Sequence, residues 1–399
     1  MELSKRVQEM QFSPIRKFNP IAIEAEQKGK KVYHLNIGQP DIETPPEFME
    51  AIRAYEPKVI AYGESGGLPE LQDAIIGYYK KIGVDLERKN IIVTTGGSEA
   101  LMMSFLNILN EGDQVMMAEP FYTNYNTFAL EAGGSVAPIT ASADDGYQYA
   151  KRELLEKSLT PNTKAIACIS PGNPTGNVLT LDDMKVICEF AKDHDLWVMA
   201  DEVYREFVYD GRKLASFGQL SEYADRVILI DSVSKRFSAC GARIGCVISK
   251  NDEFMSGIMK MAQGRLCSST IDQIGAAALY SVPDSYYKAV NEEYCARRDT
   301  IHAELMKIPG VVCQKPGGAF YMTVKLPVED AEDFLMFLLT EFDDNGETVM
   351  YAPASGFYAT KGIGKDEIRI AYILKKEDLK RAAELLGLGL KAYKAKGNK

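Results

Sequence analysis

Lys235 lies in the stretch DSVSKRFSACGAR, residues 231–243, directly after the apolar run Val227–Ile230 and directly before another, Ile244–Ile248. A lysine at the mouth of a buried strand is out of place unless its amine has work there. Desolvation favours the neutral amine, which is the nucleophile that carbonyl condensation needs. A lysine that only snorkels to water would leave Ser232, Ser234 and Arg243 around it without a purpose.

Three other apolar runs end in residues with comparable chemical content. After Ile91–Thr95 comes GGSEALMMSFLNIL, where Gly96, Gly97 and Ser98 open a helix. Free amides and the positive end of the helix dipole make such a turn a cradle for phosphate or another anion. After Ala165–Ile169 comes SPGNPTGN, whose prolines stiffen a loop that presents Asn173. After Trp197–Ala200 comes DEVYREF, with Asp201 and Tyr204 spaced to face one ligand. As a helix N-cap, Asp201 would have a purely structural role instead.

The elements that carry these ends are short apolar runs alternating with helical patterns. Besides the five runs named above, Gln114–Ala118 and Val136–Ile139 read as strands. Continuous hydrophobic runs separated by helix-length segments predict an α/β fold: a large domain with a mainly parallel seven-stranded sheet covered by helices. Beyond about Pro283 the texture changes to a long charged helix, the amphipathic strands GAFYMTV and EIRIAYI, and the helix KEDLKRAAELLGLGLKAY. The expected division is an arm and part of a small α+β domain over 1–45, a large domain over 46–283, and the rest of the small domain over 284–399.

Composition narrows the chemistry. The 399 residues are 46% hydrophobic and 26% charged with a formal charge of -10, which fits a globular protein and disfavours nucleic acid or anionic membrane as partner. No apolar stretch approaches bilayer length and the segment MELSKRVQEM has no apolar signal core, so a cytoplasmic location is expected. The seven cysteines, Cys168, Cys188, Cys240, Cys246, Cys267, Cys295 and Cys313, form no CxxC pair and read as reduced thiols. The three histidines, His34, His194 and His302, lie far from the glycine turns, which disfavours zinc chemistry and a Ser-His-Asp triad.

In an open α/β sheet the ligand sits outside the carboxyl ends of the strands. The four ends ask for one ligand with a phosphate, an oxygen to be hydrogen-bonded, a ring nitrogen to be held protonated and an aldehyde for an amine. Pyridoxal 5'-phosphate carries all four.

In order and approximate spacing, LNIGQPD, YGESGGLPELQDAI, VTTGGSEAL, EPFYTNY, SPGNPTG, ADEVY, SVSKRFSACGARIG and IRIAY resemble the fold type I, class I/II pyridoxal-phosphate aminotransferases, the aspartate aminotransferase-like family. The resemblance covers nearly the whole chain. It implies that Lys235 forms the internal aldimine and that Asp201 pairs with the pyridine nitrogen. It assigns Asn173 and Tyr204 to the ring oxygen and Tyr122 to stacking. The phosphate falls to Gly96, Gly97, Ser98, Ser232, Ser234 and Arg243, with Tyr62 reaching the partner subunit's phosphate. Gly38 and Arg369, with Asn173, match positions that bind the substrate's α-carboxylate, and the family's homodimer places its sites at the subunit interface.

The expected reaction moves an amino group from an L-amino acid to a 2-oxo acid such as 2-oxoglutarate. Ser98 stands where one aspartate-specific branch has a lysine that reads the distal carboxylate. Arg265 lies near where another branch places an arginine donated by the other subunit, so aspartate or glutamate leads narrowly over alanine or aromatic donors. A carbon-sulfur lyase or cyclopropane-forming synthase on the same scaffold would keep every cofactor residue. A nucleotide-binding protein would have no use for Lys235, and a DNA-binding regulator is disfavoured by the acidic charge.

Overall fold

The computed structural model describes residues 1–397. Its strands in chain order are β1 Lys31–His34, β2 Ile91–Thr94, β3 Gln114–Glu119, β4 Ser135–Thr140, β5 Thr163–Ile169, β6 Trp197–Asp201, β7 Val227–Ser232, β8 Gly245–Ile248, β9 Tyr321–Lys325, β10 Glu347–Met350, β11 Ala352–Pro353 and β12 Glu367–Ala371. Seven of them form one sheet in the order β2-β8-β7-β6-β5-β3-β4. Its strands from β4 to β7 are parallel to their neighbours, whereas β8 runs antiparallel to both β7 and β2.

The continuous apolar runs are explained by burial on both faces. Every residue of β7 and of β8 is buried. Along β7 the side chains alternate, with Val227 and Leu229 in one apolar layer and Ile228 and Ile230 in the other. The first layer is closed by Leu71, Tyr79, Ile187 and Phe190 from helices, and the second by Leu101, Phe105, Phe254 and Ile258. In this sheet sequence and structure differ only at strand ends, by one or two residues: β2 stops at Thr94, β3 runs to Glu119, β4 gains Ser135 and Thr140, β5 starts at Thr163, Asp201 is the last residue of β6 rather than the first beyond it, β7 runs on to Ser232, and Ile244 precedes β8; outside it, β1, β10 and β11 were not expected.

A third core forms around the sheet β11-β12-β9, where Met322, Val324, Ile368 and Ile370 pack with Tyr294 and Ile301 of the helix Asp284–Leu305 and with Leu379 and Leu386 of the helix Lys376–Gly397. Phe18 and Ala22 join it from the amino-terminal side, and β1 pairs in parallel with β10. Tyr204, Phe207 and Tyr209, which follow β6, also pack into this core, so the chain beyond Asp201 leaves one core for another.

One buried carboxylate ties the two regions together. Glu119, at the end of β3 and 1% exposed, accepts the backbone N–H groups of Ala359 at 2.9 Å and Thr360 at 3.0 Å. Its other oxygen accepts the hydroxyls of Thr360 and Thr140, both at 2.7 Å. Among the described residues no helix is long and apolar enough to cross a membrane.

Candidate active site

The carboxyl ends of β5, β6 and β7 open on a cavity of about 1120 Å³. Its lining includes Gly38, Gly97, Ser98, Tyr122, Asn173, Asp201, Tyr204, Ser232, Ser234, Lys235, Arg243 and Arg369. These residues come from eight separate stretches of chain and meet only in the folded state; most of those stretches lie at a strand end or on the facing small sheet.

Lys235 sits in the single helical turn Val233–Arg236 that follows β7. The turn is started by Ser232, whose hydroxyl oxygen accepts the Ser234 N–H at 3.0 Å. Lys235 is partly buried, and its Nζ donates to the Gly38 carbonyl at 3.0 Å and lies 3.7 Å from the Cys240 Sγ. Gly38 has no room for a side chain, because a Cβ there would overlap the Tyr321 hydroxyl.

The next residue fixes the turn. Arg236 Nη2 donates to both oxygens of Asp231, at 2.9 and 2.8 Å. Asp231 also accepts the Tyr79 hydroxyl at 3.0 Å and faces Arg205, which in turn bonds Glu202. All four charged groups are buried, two of each sign, so the cluster is neutral and closed. Burial pushes the Asp231 carboxyl up, and Arg236 and Arg205 more than offset it, leaving it below its ordinary range.

Asp201 ends β6 with its carboxylate in the cavity wall. One oxygen accepts the Tyr125 hydroxyl at 2.9 Å and the other the Val203 N–H at 3.2 Å. No helix follows it, so it is not a helix cap. Burial raises its carboxyl to about 6 despite those two bonds. A buried carboxylate so placed, with no cation partner among the described residues, is a receptor for one.

At the opposite end of the cavity the helix Gly96–Ile108 begins with Gly96 at a φ of 75°, in the left-handed region that favours glycine. The Arg243 guanidinium lies against its α-carbon, where a Cβ would collide. Gly96 is thus behind the cavity lining, while Gly97, Ser98, Ser232, Ser234 and Arg243 form it. The hydroxyls of Ser232 and Ser234 are 2.7 Å apart. Two hydroxyls, a helix amino terminus and a guanidinium make a tetrahedral-anion site.

Across the cavity, Arg369 on β12 is 1% exposed. Its Nη1 donates to Asn173 Oδ1 at 3.1 Å and its Nη2 to the Asn36 carbonyl; Nε has no partner among the described residues. The rings of Tyr321 and Phe357 lie 4.7 and 5.1 Å from its guanidinium carbon. Burial lowers its pKa, against the pull of Tyr321, Tyr204 and Tyr122. The Tyr204 and Tyr321 hydroxyls are 3.0 Å apart.

Two of the expected site residues lie elsewhere. Tyr62 is 82% exposed and away from the cavity of its own chain. Arg265 ends the helix Asp252–Arg265, where its guanidinium donates to Ser268 Oγ at 2.6 Å, the Val93 carbonyl at 3.1 Å and the Ser65 carbonyl at 3.4 Å, with Glu99 3.7 Å from Nε. Conversely, Tyr125, Tyr321, Asn36 and the Asp231–Arg236 pair were not singled out from sequence. Tyr125 had a signal, lying three residues after Tyr122 in EPFYTNY.

A buried carboxylate, a lysine amine and an anion cradle at the carboxyl edge of a doubly wound sheet, faced by an arginine with no carboxylate partner among the described residues, define a cofactor-dependent enzyme acting on carboxylates. Residues 30–386 match the family model for aminotransferase class I and II, and the chain belongs to that family. It is 31% identical to the aspartate aminotransferase of Bacillus subtilis over 96% of this chain and 98% of that one. It is 30% identical to an aromatic-amino-acid aminotransferase of Thermococcus litoralis over 99% of this chain and all of the other. The solved alanine aminotransferase of Pyrococcus furiosus superposes with a TM-score of 0.89 at 31% identity, over 98% of this chain and 100% of that one.

The enzyme is therefore an aminotransferase dependent on pyridoxal 5'-phosphate. The cavity suits that cofactor on its own geometry. The Asp201 carboxylate suits a pyridinium, the anion cradle a phosphate, and the Lys235 amine an aldehyde; the amide nitrogen of Asn173 has no partner among the described residues.

Proposed function

We propose that this enzyme moves the amino group of a dicarboxylic amino acid, aspartate or glutamate, to a 2-oxo acid such as 2-oxoglutarate. The observation that carries an amino acid substrate is Arg369, a buried guanidinium with no carboxylate partner among the described residues, held by Asn173 and Asn36 beside the lysine of the site; the likeness to aspartate aminotransferases favours a dicarboxylic donor. Such a group is complete only with an anionic ligand, and its planar fork suits a carboxylate.

Pyridoxal phosphate, when bound, supplies an aldehyde that takes up amines and a ring that draws electrons from the substrate's α-carbon. Gly97, Ser98, Ser232, Ser234 and Arg243 would hold its phosphate, with Gly96 shaping the cradle from behind, while Asn173 and Tyr204 would hold its ring oxygen and Tyr122 would lie against the ring. The Asp201 carboxylate keeps the ring nitrogen protonated. Arg369, Asn173 and the Gly38 segment orient the substrate's α-carboxylate, which aims the α-hydrogen at Lys235, and the Lys235 amine takes that proton. Because Arg369 and Asp201 lie on different sheets, a substrate gripped by Arg369 draws the two regions together and excludes water.

The working unit in this proposal is a cytoplasmic homodimer in which 46–283 is the large domain and 284–399 with 1–45 the small one. The exposed apolar run Val59, Ile60 and Tyr62 supports a subunit interface, with Tyr62 reaching the partner's phosphate site. Arg265 can read a distal carboxylate only across that interface, since in its own chain it faces away from the cavity.

The test is borohydride reduction of the holoenzyme followed by peptide mapping, together with a panel of amino donors against 2-oxoglutarate. A pyridoxyl label on Lys235 and a preference for aspartate or glutamate are expected. A label on another lysine overturns the site, and a preference for neutral donors overturns the substrate class.

A further inference from the structure

Arg16 was not part of any motif, yet it lines the same cavity as Lys235, Asp201 and Arg369. No hydrogen bond, ion pair or ring contact engages its guanidinium among the described residues. Away from this cavity the buried Arg205, Arg236, Arg297 and Arg298 each have a carboxylate, whereas Arg16, Arg243 and Arg369, which line it, have none among the described residues.

Its position is set by the same residue that sets Arg369. The Asn36 carbonyl accepts from Arg369, and the Asn36 side-chain amide donates to the Ile15 carbonyl at 3.1 Å and to Asn19 Oδ1 at 3.2 Å. Ile15 packs in the cluster containing Phe357, whose ring also covers Arg369. Pro14 is pressed on Gly356, where a Cβ would approach it to 2.7 Å. The backbone on either side of Arg16 is therefore fastened to the α-carboxylate site. Burial raises the Tyr122 phenol pKa and Tyr321 adds to it, while the charges of Lys235, Arg369 and Arg16 act the other way, so all three cations reach the same phenol.

We propose that Arg16 reads the distal carboxylate of the substrate, as the specificity-determining partner of Arg369. This rests on the dicarboxylate reading above. Two guanidinium forks on one cavity, one buried and one at its mouth, suit a ligand with two carboxylates. Lys361 and Lys365 also line the mouth and add to its positive potential, which draws anions into an otherwise acidic protein. They stand on the segment after Thr360, which Asn36 does not hold.

The experiment uses the holoenzyme and reads binding by cofactor absorbance, with succinate and butyrate as probes that differ by one carboxylate. Wild type should bind succinate more tightly. Arg16→Ala should weaken succinate about tenfold or more while leaving butyrate within about twofold. The same variant should raise KM for aspartate and leave kcat for alanine unchanged, and Arg16→Lys should recover part of the loss. Equal weakening of both probes overturns the assignment, as does a succinate-selective loss in Arg265→Ala with none in Arg16→Ala, which gives the role to the other subunit. Wild type that does not prefer succinate to butyrate removes the dicarboxylate reading and Arg16's role with it.

Discussion

Arg236 grips both carboxylate oxygens of Asp231, at 2.9 and 2.8 Å, one residue beyond Lys235. The turn bearing Lys235 is thereby pinned from behind to the strand that delivers it. Removing either partner leaves an unpaired charge in a closed, buried cluster.

Arg236→Ala should consequently lose about 3 to 5 kcal/mol of stability, the usual cost of breaking a buried pair from one side. Urea unfolding checks this. A loss under 1 kcal/mol would mean that water or a rearranged Arg205 replaces the pair. Arg236→Lys keeps the charge but not the fork, and should fall between the two.

Asp201 gives a pH signature. In the cofactor-free protein its carboxyl is raised to about 6, so below that pH it carries the proton and cannot accept one from the ring nitrogen. Its contribution to cofactor affinity is present above about pH 6 and lost as pH falls below it. Cofactor titration of the apo-protein between pH 5 and 8 should show this loss on top of the phosphate's own ionisation. Asp201→Asn, which does not titrate, should bind more weakly and lack that component; identical pH profiles would remove Asp201 from the ring nitrogen.

Arg369→Ala should weaken every amino acid donor by roughly thirtyfold or more in kcat/KM, consistent with losing one partner of a buried charge pair worth about 2 to 5 kcal/mol. Steady-state kinetics with alanine and aspartate decide it. Arg369→Lys should not restore activity, because Asn173 and Asn36 are spaced for a guanidinium.

Glu119→Ala should free the chain at Ala359 and Thr360, since a buried carboxylate that accepts four hydrogen bonds is removed at once. Expected are a loss of about 2 kcal/mol or more and faster proteolytic cleavage between 359 and 365. A cleavage rate equal to wild type would show that other contacts hold this segment.

The fold was largely legible because burial on both faces writes itself into the sequence as uninterrupted apolar runs, and all seven were placed to within a residue or two. The direction of β8 was not legible, since an antiparallel central strand is as apolar as a parallel one. Lys235, Asp201, Asn173 and Arg243 could be found because each stands at the end of such a run. Arg16, Asn36, Tyr321 and the Asp231–Arg236 pair could not. Their positions depend on contacts between segments far apart in the chain, and a single arginine near the amino terminus carries the same local pattern whether it faces water or a cavity.

The reversal of β8 bears on how this part of the chain can change. Because β7 and β8 pair antiparallel with Ser232 opposite Gly245, the excursion between them leaves and re-enters the sheet at one level. Lys235 and Arg243 both belong to that loop, so the distance between amine and anion cradle is set by its length. Substitutions within it alter single contacts, but an insertion or deletion shifts one functional group relative to the other while both anchors stay in register. Length variation should therefore be far less tolerated here than in the later parts of the segments that join the parallel strands, which cross the faces of the sheet once Tyr122, Asn173 and Tyr204 near their starts have met the cavity.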